Sequence, residues 1–160
     1  MAGFVSNPSS MIASPPAPSN DVAGDGFWPG LKLSDVKETM RIPAQVTDLR
    51  LREAVIGAII TVTRDLYSWK LAQLAAGRAD LAAAKRSDIA GEADTVLLYR
   101  RAVSAYAAAD LVDTHHDIAA TREGQERAEQ RALSADEHRA MGLIAIRDML
   151  GQGRSTVELI

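Results

Sequence analysis

TDLRLREAVIGAIITVTRDLYSWKLAQLAA, residues 47–76, decides the fold. Thr47 or Asp48 offers a side-chain oxygen suited to a helix N-cap, and Gly77 beyond the stretch suits the left-handed residue that stops a helix. Between them Val55, Ile56, Ile59, Ile60, Val62 and Leu66, joined by Leu49, Leu51, Trp69 and Leu74, recur at helical spacing. The stretch reads as one long helix ending at about Ala76. Its apolar positions cover about half of the circumference, more than one core-facing stripe requires. Either the helix is central in a bundle, or it packs on a neighbouring molecule as well as on its own chain.

The flanking segments are helical too. Asp35 with Glu38 has the spacing of a capping box and opens a short helix, ended by Pro43 and the residue before it. Ser87-Asp88-Ile89-Ala90-Gly91-Glu92 is a turn signal ahead of a second long helix, from about Ala93 to His116. That helix carries Leu98, Ala102, Ala105, Tyr106, Ala109 and Val112 on one side, and its alanines let a partner helix come close. Residues 117–131 are highly charged, with Glu123 and Arg127 at i,i+4, and read as a solvated helical extension kinked near Gly124. Ser134 and Glu137 form a second capping box, and the last helix continues to about Leu150. Its Met141, Leu143, Ile144, Ala145, Ile146, Met149 and Leu150 leave little of the latter half polar, as in a helix buried on more than one side. The fold class is all-α, a small bundle of about three to four helices, two of them long.

Length and composition narrow the chemistry. A chain of 160 residues makes one domain and can bury roughly two-thirds of its unfolded surface. It has no cysteine, which removes disulfides, thiolate metal sites and cysteine nucleophiles. The formal charge of −3 comes from mixed signs with no basic block, so tight electrostatic binding of nucleic acid is not indicated. The apolar runs fall short of the roughly 20 residues that cross a bilayer, and the start lacks the pattern of a secretory signal. The expectation is a soluble protein of cytoplasmic origin with no membrane partner.

Both ends differ from the body. Residues 1–26, with Pro8, Pro15, Pro16 and Pro18 among serines and asparagines, read as a disordered or extended arm. Phe27 and Trp28 follow, costly to expose, and anchor that arm either as a plug in the core of the same chain or on another subunit. Residues 27–150 form the helical domain. Residues 151–160 form an extended tail, released by Gly151 and Gly153, in which Thr156, Val157, Glu158, Leu159 and Ile160 have strand period. Such a tail, Arg154-Ser155-Thr156-Val157-Glu158-Leu159-Ile160, suits docking into a groove on a partner.

One constellation points to catalysis. Asp110, Asp113, His116 and Asp117 recur at i, i+3 and i+4, so oxygen and nitrogen ligands share one helix face. A di-metal bundle needs matching Glu and Glu-x-x-His contributions from other helices, and neither the first long helix nor the last offers one. His115, His116 and His138 read instead as surface histidines near helix ends. No nucleotide-binding, nucleophile-elbow or zinc-protease motif occurs. The residues thus assign no catalytic, cofactor-binding or metal site and no cofactor. A metal-dependent helical enzyme and a DNA-binding helical regulatory module stand as the alternatives.

Taken in order, Leu49-Arg50-Leu51-Arg52-Glu53-Ala54-Val55, then Gly91-Glu92, Tyr99-Arg100-Arg101-Ala102-Val103, Ala145-Ile146-Arg147-Asp148-Met149-Leu150 and the closing Arg154 to Ile160 resemble the head-completion proteins of temperate contractile-tailed phages, the GpL family. The likeness spans about residues 27–160 and leaves the proline-rich arm outside. It implies a virion structural protein, not an enzyme, that joins the portal vertex after DNA packaging, helps retain the genome and prepares the neck for the tail. Similar helical head-tail adaptors of other long-tailed phages form twelve-membered rings beneath the portal. The implied partners are the portal protein, a neck or tail-completion protein, sister copies in a dodecameric ring, and packaged DNA passing through the lumen without sequence-specific binding. The implied location is the virion neck, and the host cytoplasm during assembly. By that likeness the tail from Arg154 to Ile160 reaches the portal or a neighbour. The apolar surplus of the first and last helices, at Val55, Ile59, Val62, Leu66, Met141, Ile144 and Met149, serves ring packing.

Overall fold

The computed structural model describes residues 21–116 and 133–152 of the chain. Five helices lie among the described residues: α1 (Leu33–Thr39), α2 (Asp48–Asp65), α3 (Tyr67–Ala75), α4 (Asp94–His116) and α5 (Ala135–Met149). A two-residue hairpin, β1 (Asp88–Ile89) with β2 (Glu92–Ala93), is the one small sheet among them. The architecture is all-α. The predicted charged extension over residues 117–131 lies outside the described residues, as do the arm at residues 1–20 and the tail at residues 153–160.

The helix ends follow local chemistry at most positions. Thr47 caps α2 by accepting from the Arg50 N–H, and Ser134 and Glu137 close a reciprocal capping box on α5. Gly77 and Gly151 take positive φ just past α3 and α5, which an L side chain would resist. The capping box expected at Asp35 does not form. α1 starts earlier, at Leu33, because Leu33 and Val36 are both core residues, and its first amide donates to Asp21 Oδ1, 3.3 Å away, instead of to a local cap. Asp35 sits within the first turn, where its charge suits the helix dipole. The helix then stops at a left-handed Arg41 (φ 53°), before Pro43 is reached.

The long helix expected to run to Ala76 is broken at Leu66. Neither proline nor glycine lies at the break. Leu66 is fully buried there, and the second segment brings Trp69 against the aromatic residues near the chain start. The turn signal at residues 87–92 is a hairpin in which Ala90 and Gly91 both have positive φ, the geometry of a tight two-residue connection.

α4 occupies the centre, packing against α5 on one side and α2 on the other. Val96, Tyr99, Ala102, Val103, Ala105, Ala107, Ala108, Ala109 and Leu111 are all buried, so the helix is apolar nearly all round. The alanines permit close approach, as expected, and Gly142 completes it: a Cβ there would stand 2.7 Å from the Tyr106 ring. Arg139 on α5 is ion-paired with Asp113 on α4.

The N-terminal segment is built into this core. Val22 and Leu31 form an antiparallel bridge that ties the segment before Phe27 to the body. Asp25 Oδ1 accepts from the N–H groups of Phe27 (3.0 Å) and Trp28 (2.7 Å), and its Oδ2 pairs with Lys70 Nζ at 2.9 Å. Partial burial raises the Asp25 carboxyl, but the Trp28 amide and Lys70 outweigh it and hold the group below the usual carboxylate range. Trp28 stacks on Tyr99 with ring centroids 5.0 Å apart, while Lys70 lies 5.1 Å from the Phe27 ring centre. Burial, with the Asp25 charge, pushes the Tyr99 hydroxyl well above its ordinary range.

His138 corrects an expectation. It lies inside, not on the surface, and its Nδ1 has no hydrogen-bond partner among the described residues. Burial lowers its pKa, partly opposed by Glu137. The side chains of His115 and His116 are outside the described ones.

Two outcomes follow from this packing. Trp28→Ala removes a ring stacked in the core and should cost about 3–5 kcal/mol in urea unfolding. Because burial lowers the His138 pKa in the folded chain, the unfolded chain binds its proton more readily and stability should fall as pH drops below about 6.5; His138→Leu should flatten the melting temperature between pH 7 and 5.

Candidate docking surface

The central place of α4 leaves α2 with one face in the core and the opposite face outside. Leu51, Ala54, Val55, Ala58 and Val62 point inward, whereas Leu49 is 69% and Ile60 59% exposed, with Ile56 half-buried beside them. On α3 the spacing i, i+4, i+7 puts Tyr67 (59% exposed), Leu71 and Leu74 outside, while Trp69 turns inward. α5 shows the same division: Ala145, Ile146 and Met149 are buried and Leu143 is exposed. Scattered exposed apolar residues are ordinary, but runs at helical spacing along one rod are what a packing partner would cover.

Of the residues assigned to ring packing, Val55, Val62, Leu66 and Met149 lie in the core of the chain itself. Ile59, Met141 and Ile144 are half-buried at its boundary. Phe27 and Trp28 are plugs of the same core.

A second feature lies where α5 ends. A cleft of about 230 Å³ opens between α3, the segment after it and the α5 C-terminus, with Trp69, Gln73, Arg78, Arg86, Leu150 and Gly151 on its walls. Arg86 Nε reaches Asp94 Oδ2 at 3.3 Å, and the Arg86 amide donates to Asp94 Oδ1 at 3.0 Å. Burial raises the Asp94 carboxyl, but these bonds and the Thr95 amide pull it net below its ordinary range, so the pair is ionised. Arg78 bonds the Gln73 side-chain carbonyl and has no carboxylate partner among the described residues. Nothing along the chain marks this cleft, because its walls come from four separate segments. The predicted docking tail, Arg154 to Ile160, lies outside the described residues.

The carboxylate and histidine set on α4 is divided. Asp110 is exposed, Asp113 is engaged by Arg139, Asp117 and the His116 side chain are not described. No group of three His, Asp or Glu side chains converges among the described residues. No helix among them is long and apolar enough to cross a membrane.

Comparison with known proteins gives this arrangement a family. No solved structure matches the chain. The head completion/stabilization protein of Escherichia phage P2 is 32% identical over 125 residues, which cover 76% of this chain and 74% of that protein. The family described as phage head completion protein (GPL), one of virion structural proteins, matches residues 22–160, from the first bridge residue of the body through the tail. On both counts this helical chain belongs to the phage head completion protein family.

Proposed function

We propose that the chain is a non-catalytic adaptor of the phage neck that completes and stabilises the DNA-filled head, as the name of its phage P2 relative says of that protein. Copies assemble side by side as a ring, a dodecamer, on the portal vertex, help retain the genome and present a platform for neck and tail proteins. The observation that carries this reading is the apolar face of α2 and α3, Leu49, Ile60, Tyr67, Leu71 and Leu74, exposed among the described residues while the other side of α2 fills the core and Trp69 of α3 packs on it. Ile59, Met141 and Ile144, half-buried at the margin, extend the lateral contact, while Val55, Val62, Leu66 and Met149 hold the helices that present it. The tail from Arg154 to Ile160 docks on the portal or a neighbour, supplying affinity when a groove is present to receive it. The acidic balance of −3 suits a lumen past which DNA slides without sequence-specific binding. Assembly takes place in the host cytoplasm.

Electron microscopy of particles carrying the protein should find its density encircling the portal exit. Removal of residues 154–160 should leave the helical content intact and abolish incorporation into portal-containing particles; normal incorporation would contradict a docking tail. Ile60→Glu should change the stability of the free chain by no more than about 0.5 kcal/mol, since its side chain faces solvent. The same substitution should greatly reduce the amount of the protein in purified particles, and undiminished incorporation would remove α2 from the lateral contact.

A further inference from the structure

We propose that the cleft between α3 and the end of α5 is the receptor for the tail of a second copy of this chain, with Val157 and Leu159 against its apolar walls and Glu158 paired with Arg78. This rests on the reading of residues 154–160 as a docking segment and names the place that receives it.

Charge and shape select the occupant. Trp69 and Leu150 give the cleft apolar walls, and one of its two cations, Arg86, is already neutralised by Asp94. The other, Arg78, holds only the carbonyl of Gln73 and no carboxylate among the described residues. A guanidinium beside an indole favours a carboxylate flanked by aliphatic groups. Between Gly151 and Ile160 the chain has one acidic residue, Glu158, and it lies between Val157 and Leu159. The cleft, about 230 Å³, is smaller than the roughly 300–1,000 Å³ of small-molecule sites. It suits one or two side chains of a peptide rather than a metabolite.

Reach decides which copy supplies the tail. Gly151 is itself part of the cleft wall, so the chain departs from the edge of its own site. In the extended form that the alternation of residues 156–160 favours, Glu158 stands roughly 20 Å from Gly151. Returning it to its own Arg78 would require a reversal within Gln152 and Gly153. An extended tail instead meets the cleft of an adjacent copy. Each chain then gives a tail and receives one, a head-to-tail contact of the kind that closes into rings. The contact exists between free copies in solution.

The absence of native cysteine makes the test direct, because any introduced thiols are the sole ones present. Full-length chains carrying Gln73→Cys and full-length chains carrying Leu159→Cys are mixed and mildly oxidised. A disulfide should join the two chains, in a yield that rises with protein concentration, and Thr39→Cys on exposed α1 should not replace Gln73→Cys. With both substitutions in one chain, a disulfide closed within the monomer would overturn the proposal in favour of the chain's own tail. No disulfide in either format would overturn it outright. Charge exchange gives an independent check without the Gln73 substitution. Arg78→Glu and Glu158→Arg should each weaken self-association about tenfold in sedimentation, and an equal mixture of the two variants should restore it; failure to restore would also overturn the contact. Should truncation of the tail abolish particle incorporation while free copies give no disulfide, the sister-copy cleft is wrong and the portal docking stands.

Discussion

A helix buried on nearly every side is the constraint around which the rest of this protein is arranged. From Thr95 to Leu111, α4 turns apolar residues in all directions, most of them alanine or valine. Such a helix cannot stand at a surface, and its small side chains allow α5 and α2 to flank it at close range. At Gly142 the approach leaves no room for a Cβ beside the Tyr106 ring. Once α4 takes the centre, α2 and α5 each have only one face to give to it, and their outer apolar residues stay exposed among the described residues. The surplus at Leu49, Ile60 and Leu143 is thus a consequence of where α4 sits.

The N-terminal segment and the connection after α3 complete the body in different ways. Asp25 orders Phe27 and Trp28 through two backbone amides and holds Lys70 over their rings, so the aromatic plug is fixed by hydrogen bonds as well as burial. Asp94 does the corresponding work at the start of α4, gathering Arg86 and the Thr95 amide, while the Thr95 hydroxyl bonds the Leu81 carbonyl at 2.7 Å. The second of these polar knots fixes the irregular chain that walls the cleft.

Much of the chain was legible in one dimension because the signals are local. Thr47, the Ser134 and Glu137 pair, Gly77 and Gly151 mark helix ends through groups within four residues of the atoms they satisfy, and each marks its end in the structure. The alanines of residues 102–109 announced a close helix contact through their size alone. The ordered likeness to head-completion proteins was legible for the same reason, since it rests on residue identity along the chain and agrees with the family match. Other readings failed where the partner is distant. Asp35 lost its cap because Asp21, on the neighbouring strand segment, serves α1 and because Leu33 had to be buried. His138 reads as a surface residue from its place near a helix end, and only tertiary packing puts it inside.

The sequence by itself determined that the protein is helical, where most helices begin and end, and how much apolar surface they carry. Tertiary structure alone decided that α4 and not α2 is central, that the long helix breaks at Leu66, and that Arg78 and Arg86 meet beside Gly151 in one cleft. The physical reason is that periodicity measures the width of an apolar face but carries no label for what covers it. Which face meets which neighbour is settled by volume and distance among segments far apart in the chain.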